Sequence, residues 1–501
     1  MRRAVLIAAV ACLLAGPAVL AFFSGGYFTH PRLIAAIVVW VLVLGLAIAG
    51  PVPLPRSTPG RLALAGLAAV VGWSALSILW APQGGPAVQD VQRLLLYLGV
   101  LLVAVGTLRE PRLQRAVEPA LAAGATVVIG YGLSGRLLPE LVQLASSRSA
   151  GGRLEQPLTY WNAEGALAAM GLVLCARLAG DRSRPRAVRL MHGLHMPFAT
   201  GARVVLDDKW DPTLAAGLYL TYSRGALAVA VLGLLVLAAA APSRAQLRAA
   251  ALVLVVGAGV AACSELLPGV STVAGPAGER AGDGLALLAV LIAAAALSAL
   301  VVARTGDEPS RIPRWYSRLG PGAWAAAAAV AAGLIIGGLA ERPTERELSA
   351  GAGATRLTSV SSNRYEYWRV ALGAFRDDPL TGVGSGGFQV VWLQERPIRE
   401  TIRDAHSLEF EVAAELGLVG LLGLVLMAGG GAVAARRALA RHRELAAGAA
   451  AALVVWSLHA SIDWDWQMPA VTLPALVLAG LLIVLAEGEP AGRPRRAGPG
   501  A

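Results

Sequence analysis

The chain has 501 residues, 56% of them hydrophobic before its 58 glycines are counted, and a mean hydropathy of +0.62. That apolar share exceeds the roughly half of a water-soluble domain and excludes one, and at about 20 residues per crossing the length accommodates a dozen or more membrane helices. The net charge of +11 is carried almost wholly by arginine, Lys209 being the only lysine, and three cysteines set in or beside apolar runs support neither a disulfide framework nor a zinc site.

Apolar runs near residues 4–22, 33–50, 62–80, 93–107, 116–134 and 163–180 predict the first six spans. Runs near 190–222, 225–241, 249–267, 284–302 and 322–340 predict five more, and those near 415–433, 446–460 and 470–486 the last three. The first run follows "MRR", is long and lacks a small-x-small cleavage site, so it reads as a span rather than a signal peptide. With the N-terminus in the cytoplasm, the connections at 51–61, 108–115, 181–189, 242–248, 303–318 and 434–443 and the tail "GRPRRAG" fall on one side. They carry 2, 3, 4, 2, 4, 4 and 3 arginines, which satisfies the positive-inside rule at every turn. The fold class is all-α, a polytopic bundle of about 12 to 14 spans. Residues 1–340 form the N-terminal membrane helices, 341–414 a long extracytoplasmic loop with amphipathic helices, 415–487 the C-terminal membrane helices and 488–501 a cytoplasmic basic tail.

One crossing conflicts with its own composition. The run at 190–222 contains Arg203, Asp207, Asp208, Lys209 and Asp211, and each charge near a helix centre costs about 2.5–3.5 kcal/mol. Either that crossing is broken and lined by protein, or its boundaries lie elsewhere.

Two outer connections are large: residues 135–162, and the long loop at 341–414. In the latter, "RYEYWRVALGAF" repeats Tyr365, Trp368, Leu372 and Phe375 at helical spacing, and "SLEFEVAAELG" runs directly into the next span, so the loop reads as a folded cap. "GVGSGG", from Gly382 to Gly387, lacks the preceding strand and following helix of a dinucleotide fingerprint and reads as a tight turn bringing backbone, Gly384 included, close to a neighbour. "DWD" at Asp463–Asp465 reads as an interfacial turn with Trp456, Trp464 and Trp466 in the headgroup belt, the other reading being a substrate contact by Asp463.

His406, in "RDAHSLEFE", precedes a helix at the foot of the long loop, with Asp404, Glu409 and Glu411 close in sequence. A neighbouring carboxylate would orient its ring and raise its basicity, as a general base requires, although a lone histidine is more often structural. Arg224, in "TYSRGALA", stands where an apolar helix reaches the outer face; it is either a phosphate contact or an arginine snorkelling to the interface. Nine arginines lie between Arg342 and Arg403. The planar guanidinium fork matches phosphate oxygens bidentately, so such a cluster beside a membrane suits an anionic headgroup or a lipid diphosphate.

In chain order, "LTYWNAEGALAAM", "LYLTYSRGALA", "NRYEYWRVALGAFRDDPLTGVGSGGF", "DAHSLEFEVAAELGLVGLLG" and "HASIDWDWQMPA" resemble the O-antigen ligase and polymerase family of bacterial membrane glycan transferases. The resemblance spans roughly residues 155–487. It implies a metal-independent glycosyltransferase without a cofactor, passing a glycan from a polyprenyl diphosphate to an acceptor hydroxyl at the outer face of the cytoplasmic membrane. Its partners would be the lipid-linked glycan, a glycan or lipid acceptor and membrane lipids, with no nucleic acid. By the resemblance His406 is the catalytic histidine, Arg224 and Arg364 bind the donor diphosphate, and Asn162, Gly384 and Asp463 belong to loops near substrate. The charged segment 203–211 departs from the family pattern just before Arg224. A polysaccharide or lipid transporter would instead place charge within paired, interrupted helices, and a non-catalytic assembly scaffold would not need the ordered motif set.

Overall fold

The structure is a computed structural model that describes residues 2–181, 212–304, 357 and 363–488. Among these, ten helices are long and apolar enough to cross a membrane, and no residue is in a strand. The chain is an all-helical, multi-pass membrane protein, as the hydropathy predicts. The expected span at 322–340 and the charged segment 203–211 lie outside the described residues, as does the tail beyond Gly488.

The first six helices are α1 (Arg2–Ala21), α2 (Thr29–Ala49), α3 (Thr58–Ser77), α4 (Gly84–Thr107), α5 (Pro111–Leu137) and α6 (Trp161–Gly180). The short α7 (Pro212–Leu220) follows, then α8 (Arg224–Ala240), α9 (Arg244–Glu265), the single turn α10 (Pro268–Ser271) and α11 (Ala277–Arg304). The cap helices α12 (Arg364–Asp377) and α13 (Phe388–Glu395) precede α14 (Leu408–Ala460) and α15 (Pro469–Glu487). Serines at 57, 223, 243 and 407 each accept a backbone N–H from the first turn of the helix they open, satisfying donors that no intrahelical carbonyl reaches.

The expected spans at 415–433 and 446–460 are the two arms of α14, parted by the non-helical backbone of His442 (φ −137°, ψ 52°). The connecting residues, "AARRALARHREL", are strong helix formers, so the reversal takes a local break instead of a loop. Its two ends meet: Ser461 Oγ donates to Glu409 Oε1 at 2.8 Å. α14 also packs closely along α3, where Gly66 faces Gly423 and Met427, and Gly430 faces Pro59 and Ala63. Small residues let the two backbones touch, which drives helix association where lipid removes the hydrophobic incentive.

α6 and α15 are buried along nearly their whole length and form the centre of the bundle. α2, α9 and α11 turn large apolar side chains outward, among them Ile37, Val41, Val255 and Ile292, as lipid contact requires. The bundle has two distinct ends. At one, Ser57 N donates to Glu487 (3.0 Å), Arg109 reaches Glu487 (3.4 Å), Arg441 reaches Gly488 O (3.3 Å) and Arg177 reaches Gln246 (3.4 Å) and Glu444 O (2.8 Å). These contacts gather five of the arginine-bearing connections that sequence parity assigns to one side. The cap helices, the α5–α6 loop and the α14–α15 turn gather at the other.

Candidate functional site

At that second end, three loops converge on Asp463 in the α14–α15 turn. Its side chain is fully buried and accepts hydrogen bonds from Tyr160 Oη (2.7 Å), Asn162 Nδ2 (2.7 Å) and Trp464 N (2.8 Å), and it pairs with Arg364. Burial alone would raise the Asp463 carboxyl, but Arg364, His406, His459 and the Tyr160 hydroxyl outweigh it and hold it below its usual range. Arg364, the first residue of α12, is correspondingly raised: burial opposes its charge, and Asp463 with the phenols of Tyr160 and Tyr367 overcomes that. Burial and Asp463 push the Tyr160 phenol well up, so it stays a donor. Asp463 is therefore an ionised hub tying the α5–α6 loop, the cap and the C-terminal turn together.

His406 stands in the left-handed region (φ +54°) and is partly exposed. Its Nδ1–H donates to the Asp404 carbonyl at 3.0 Å, and its ring lies 5.0 Å from the ring of Tyr367. This geometry fixes the neutral tautomer with the lone pair on Nε2. Burial lowers the His406 pKa; Asp463 opposes that and Arg364 reinforces it. The carboxylate orienting role expected of Asp404, Glu409 and Glu411 is not what holds the ring. Glu409 takes Ser407 (3.1 Å) and Ser461, Glu411 takes the Ala405 N–H (3.2 Å), and Asp404 acts through its carbonyl.

Behind His406, Gln467 Nε2 bridges Asp404 Oδ1 and Glu411 Oε1, each at 2.6 Å, and Gln467 Oε1 accepts from Arg93 at 3.3 Å. Burial raises the Asp404 carboxyl to about 6, with Arg93 and Arg403 opposing. In the same turn His459 Nδ1 pairs with Asp465 at 3.1 Å. Arg224 opens α8 behind the Ser223 cap, and the adjacent Gly225 faces Ile462 and His459, which sets the start of α8 against the Asp463 turn.

The glycine turn closes the cap onto the bundle. Gly384 has φ +92°, and a Cβ there would fall 2.5 Å from Ala81 Cα. Around it, Ser385 Oγ donates to Asp90 (2.9 Å), while the Glu415 carboxylate accepts from Gly386 N (2.9 Å) and Phe388 N (3.1 Å). The turn binds the protein's own carboxylate and backbone.

Two details differ from the expected picture. The α12 face turned inward carries Glu366, Tyr367, Val370, Ala371 and Ala374, while Tyr365 and Leu372 of the expected stripe are 46% and 42% exposed. Tyr367 takes the inner position because it packs edge-on against buried Trp392 (5.1 Å) and donates to Glu400 (2.7 Å). In the Asp463–Asp465 turn, read from sequence as interfacial, both aspartates are buried. Trp464 stacks on Tyr160 (4.5 Å), and buried Trp466 lies under Arg93 (4.9 Å). Tyr160, His459 and Gln467 escaped the sequence reading although they stand inside the quoted strings "LTYWN" and "HASIDWDWQ", and Asp465 reads there only as part of a turn; Tyr160 meets its partner Asp463 across 303 residues of chain.

Among the described residues no group of three or more His, Cys, Asp or Glu side chains is placed to hold a metal ion. A family model described as O-antigen ligase matches residues 213–425, an interval that includes Arg224, Arg364 and His406 but stops short of Asp463 and begins after Asn162. No curated protein matches the chain.

Proposed function

We propose, from the premise that residues 213–425 are an O-antigen ligase family domain, that this membrane protein transfers or polymerises glycan from a polyprenyl-diphosphate donor onto an acceptor hydroxyl. Glycan transfer in surface-polysaccharide assembly is the activity that the family match supports. The donor, the acceptor and the placement of the reaction at the outer face of the cytoplasmic membrane are our reading.

In this reading His406 Nε2 accepts the acceptor hydroxyl proton as the oxygen attacks the anomeric carbon. The bond from that carbon to the diphosphate oxygen breaks, and the diphosphate leaves with its electron pair. Arg224 and Arg364 stabilise the charge that develops on it, the place a metal ion takes in other transferases. Asp463 positions Arg364, while Tyr160 and Asn162 hold Asp463 in place. Gly384 acts indirectly, by seating the cap. The reaction needs no divalent metal, so transfer persists in EDTA.

The observation that carries the reading is the His406 ring, fixed by the Asp404 carbonyl with its Nε2 lone pair available, under the influence of the Arg364–Asp463 pair. The test is glycan transfer in membranes holding equal amounts of wild type and His406→Ala. General-base removal costs typically about 100-fold or more. Equal transfer by the two proteins would remove His406 from the chemistry.

A further inference from the structure

Away from Asp463, on the other side of the α5–α6 loop, a cavity of about 550 Å³ opens between the end of α5, residues 139–156 of that loop and the α10–α11 connection. Three arginines line it, Arg136, Arg153 and Arg280, against one carboxylate, Glu155. Glu155 is already engaged by the backbone N–H and hydroxyl of Ser147. Arg136 donates to the carbonyls of Val270 and Gly152, so its guanidinium is held rigid by dipoles. Arg153 donates to Ala150 O and Ser149 O, and its guanidinium lies 3.5 Å over the Trp161 ring. Arg280 Nε is buried with no hydrogen-bond partner among the described residues.

Cations turned toward one cavity, at the cost of desolvation, are an arrangement that an anion would relieve. Preformed guanidinium forks suit the oxygens of a phosphate better than a lone carboxylate. The rim adds a second indication. Leu141, between the lining residues Pro139 and Val142, is 81% exposed. Apolar side chains left outward at the end of a membrane bundle sit comfortably among lipids.

We propose that this cavity is a phosphate-binding site, taking the phosphate of an ester held at the membrane surface. It is separate from the Asp463–His406 site, and binding there is measured without any transfer activity, so its failure would leave the proposed reaction untouched.

The experiment uses the full chain in detergent and native mass spectrometry with dioleoyl phosphatidic acid against dioleoylglycerol, which has the same tails without phosphate. Inorganic phosphate is measured separately by equilibrium dialysis. Wild type should retain phosphatidic acid over dioleoylglycerol, and Arg280→Gln should weaken that retention about ten-fold or more, with Arg280→Lys intermediate because it keeps the charge without the fork. Binding of inorganic phosphate that depends on Arg280, without preference between the two lipids, supports the site and assigns it to a soluble phosphate. Should Arg280→Gln be too unstable to purify, competition of inorganic phosphate against phosphatidic acid on wild type and Arg280→Lys decides the same question. The proposal is overturned if neither phosphate carrier binds, or if binding is the same in wild type and the Arg280 variants.

Discussion

At the scale of single residues, the candidate site is organised by charge in a confined space. Asp463 stays ionised because Arg364, ahead of every other neighbour, outweighs its burial, and His406 stays neutral because burial outweighs the carboxylate. The sign matters for pH. A base whose pKa is lowered keeps its lone pair below the ordinary histidine value, so the acid limb of transfer should lie below pH 6.5, the unperturbed value. A limb above 6.5 that vanishes in a His406 variant would show that the ring is stabilised as a cation and would overturn its role as the base. Arg364→Lys should cost about 2–4 kcal/mol in the transition state, on the order of 30-fold to 1000-fold in rate, because an ammonium cannot fork between Asp463 and a diphosphate. Arg436→Lys, exposed on α14 at the other end of the bundle, should be near neutral. Rate assays on both variants at limiting donor, with insertion checked, separate a site contact from a topology determinant.

At the scale of elements, the glycine turn shows how a loop gains a fixed position. Gly384 needs a left-handed backbone and an approach to Ala81 that leaves no room for a side chain, so Gly384→Val should cost about 3 kcal/mol or more through strain and steric conflict together. The expected result is a clear drop in thermal stability in detergent, with loss of transfer as the cap separates from the α3–α4 connection. Gly429→Ala is the contrast: it lies in an exposed stretch of α14 with no atom near the position of an added Cβ, and should be neutral or mildly stabilising. Equal melting of the two variants would mean that the turn does not hold the cap. The amphipathic spacing of α12 predicts its helix but not the face it buries, because Tyr367 finds Trp392 and Glu400 from elsewhere in the cap.

At the scale of the molecule, the arginine-bearing connections among the described residues and the site loops occupy opposite ends of one bundle. If the arginine-rich end is cytoplasmic, single cysteines at Gln394 in the cap and at Ala440 in α14 should label from opposite sides, in a background where Cys12, Cys175 and Cys263 are replaced by alanine. Gln394→Cys should react with an impermeant thiol reagent in intact cells, after permeabilisation of any outer layer. Ala440→Cys should react only after lysis. The reverse pattern would invert the orientation and put the proposed reaction on the wrong face.

By itself the sequence determined that the chain is a helical membrane protein, where most of the described crossings lie and which of the described connections share an end. Those properties depend on runs of neighbouring residues: apolar length, arginine placement and cap signals act locally and need no partner. The strings that carry His406, Arg224 and Arg364 also pointed in order to the family whose model covers residues 213–425, while the roles of these three residues are our proposal. What only the tertiary structure decided is what these residues touch. Asp463 draws together Tyr160, Asn162 and Arg364 from positions separated by up to 303 residues, and the ring of His406 rests on a backbone carbonyl instead of a neighbouring carboxylate. A buried charge takes whichever partner the packing of the helices delivers to it, and that packing is a property of the whole bundle.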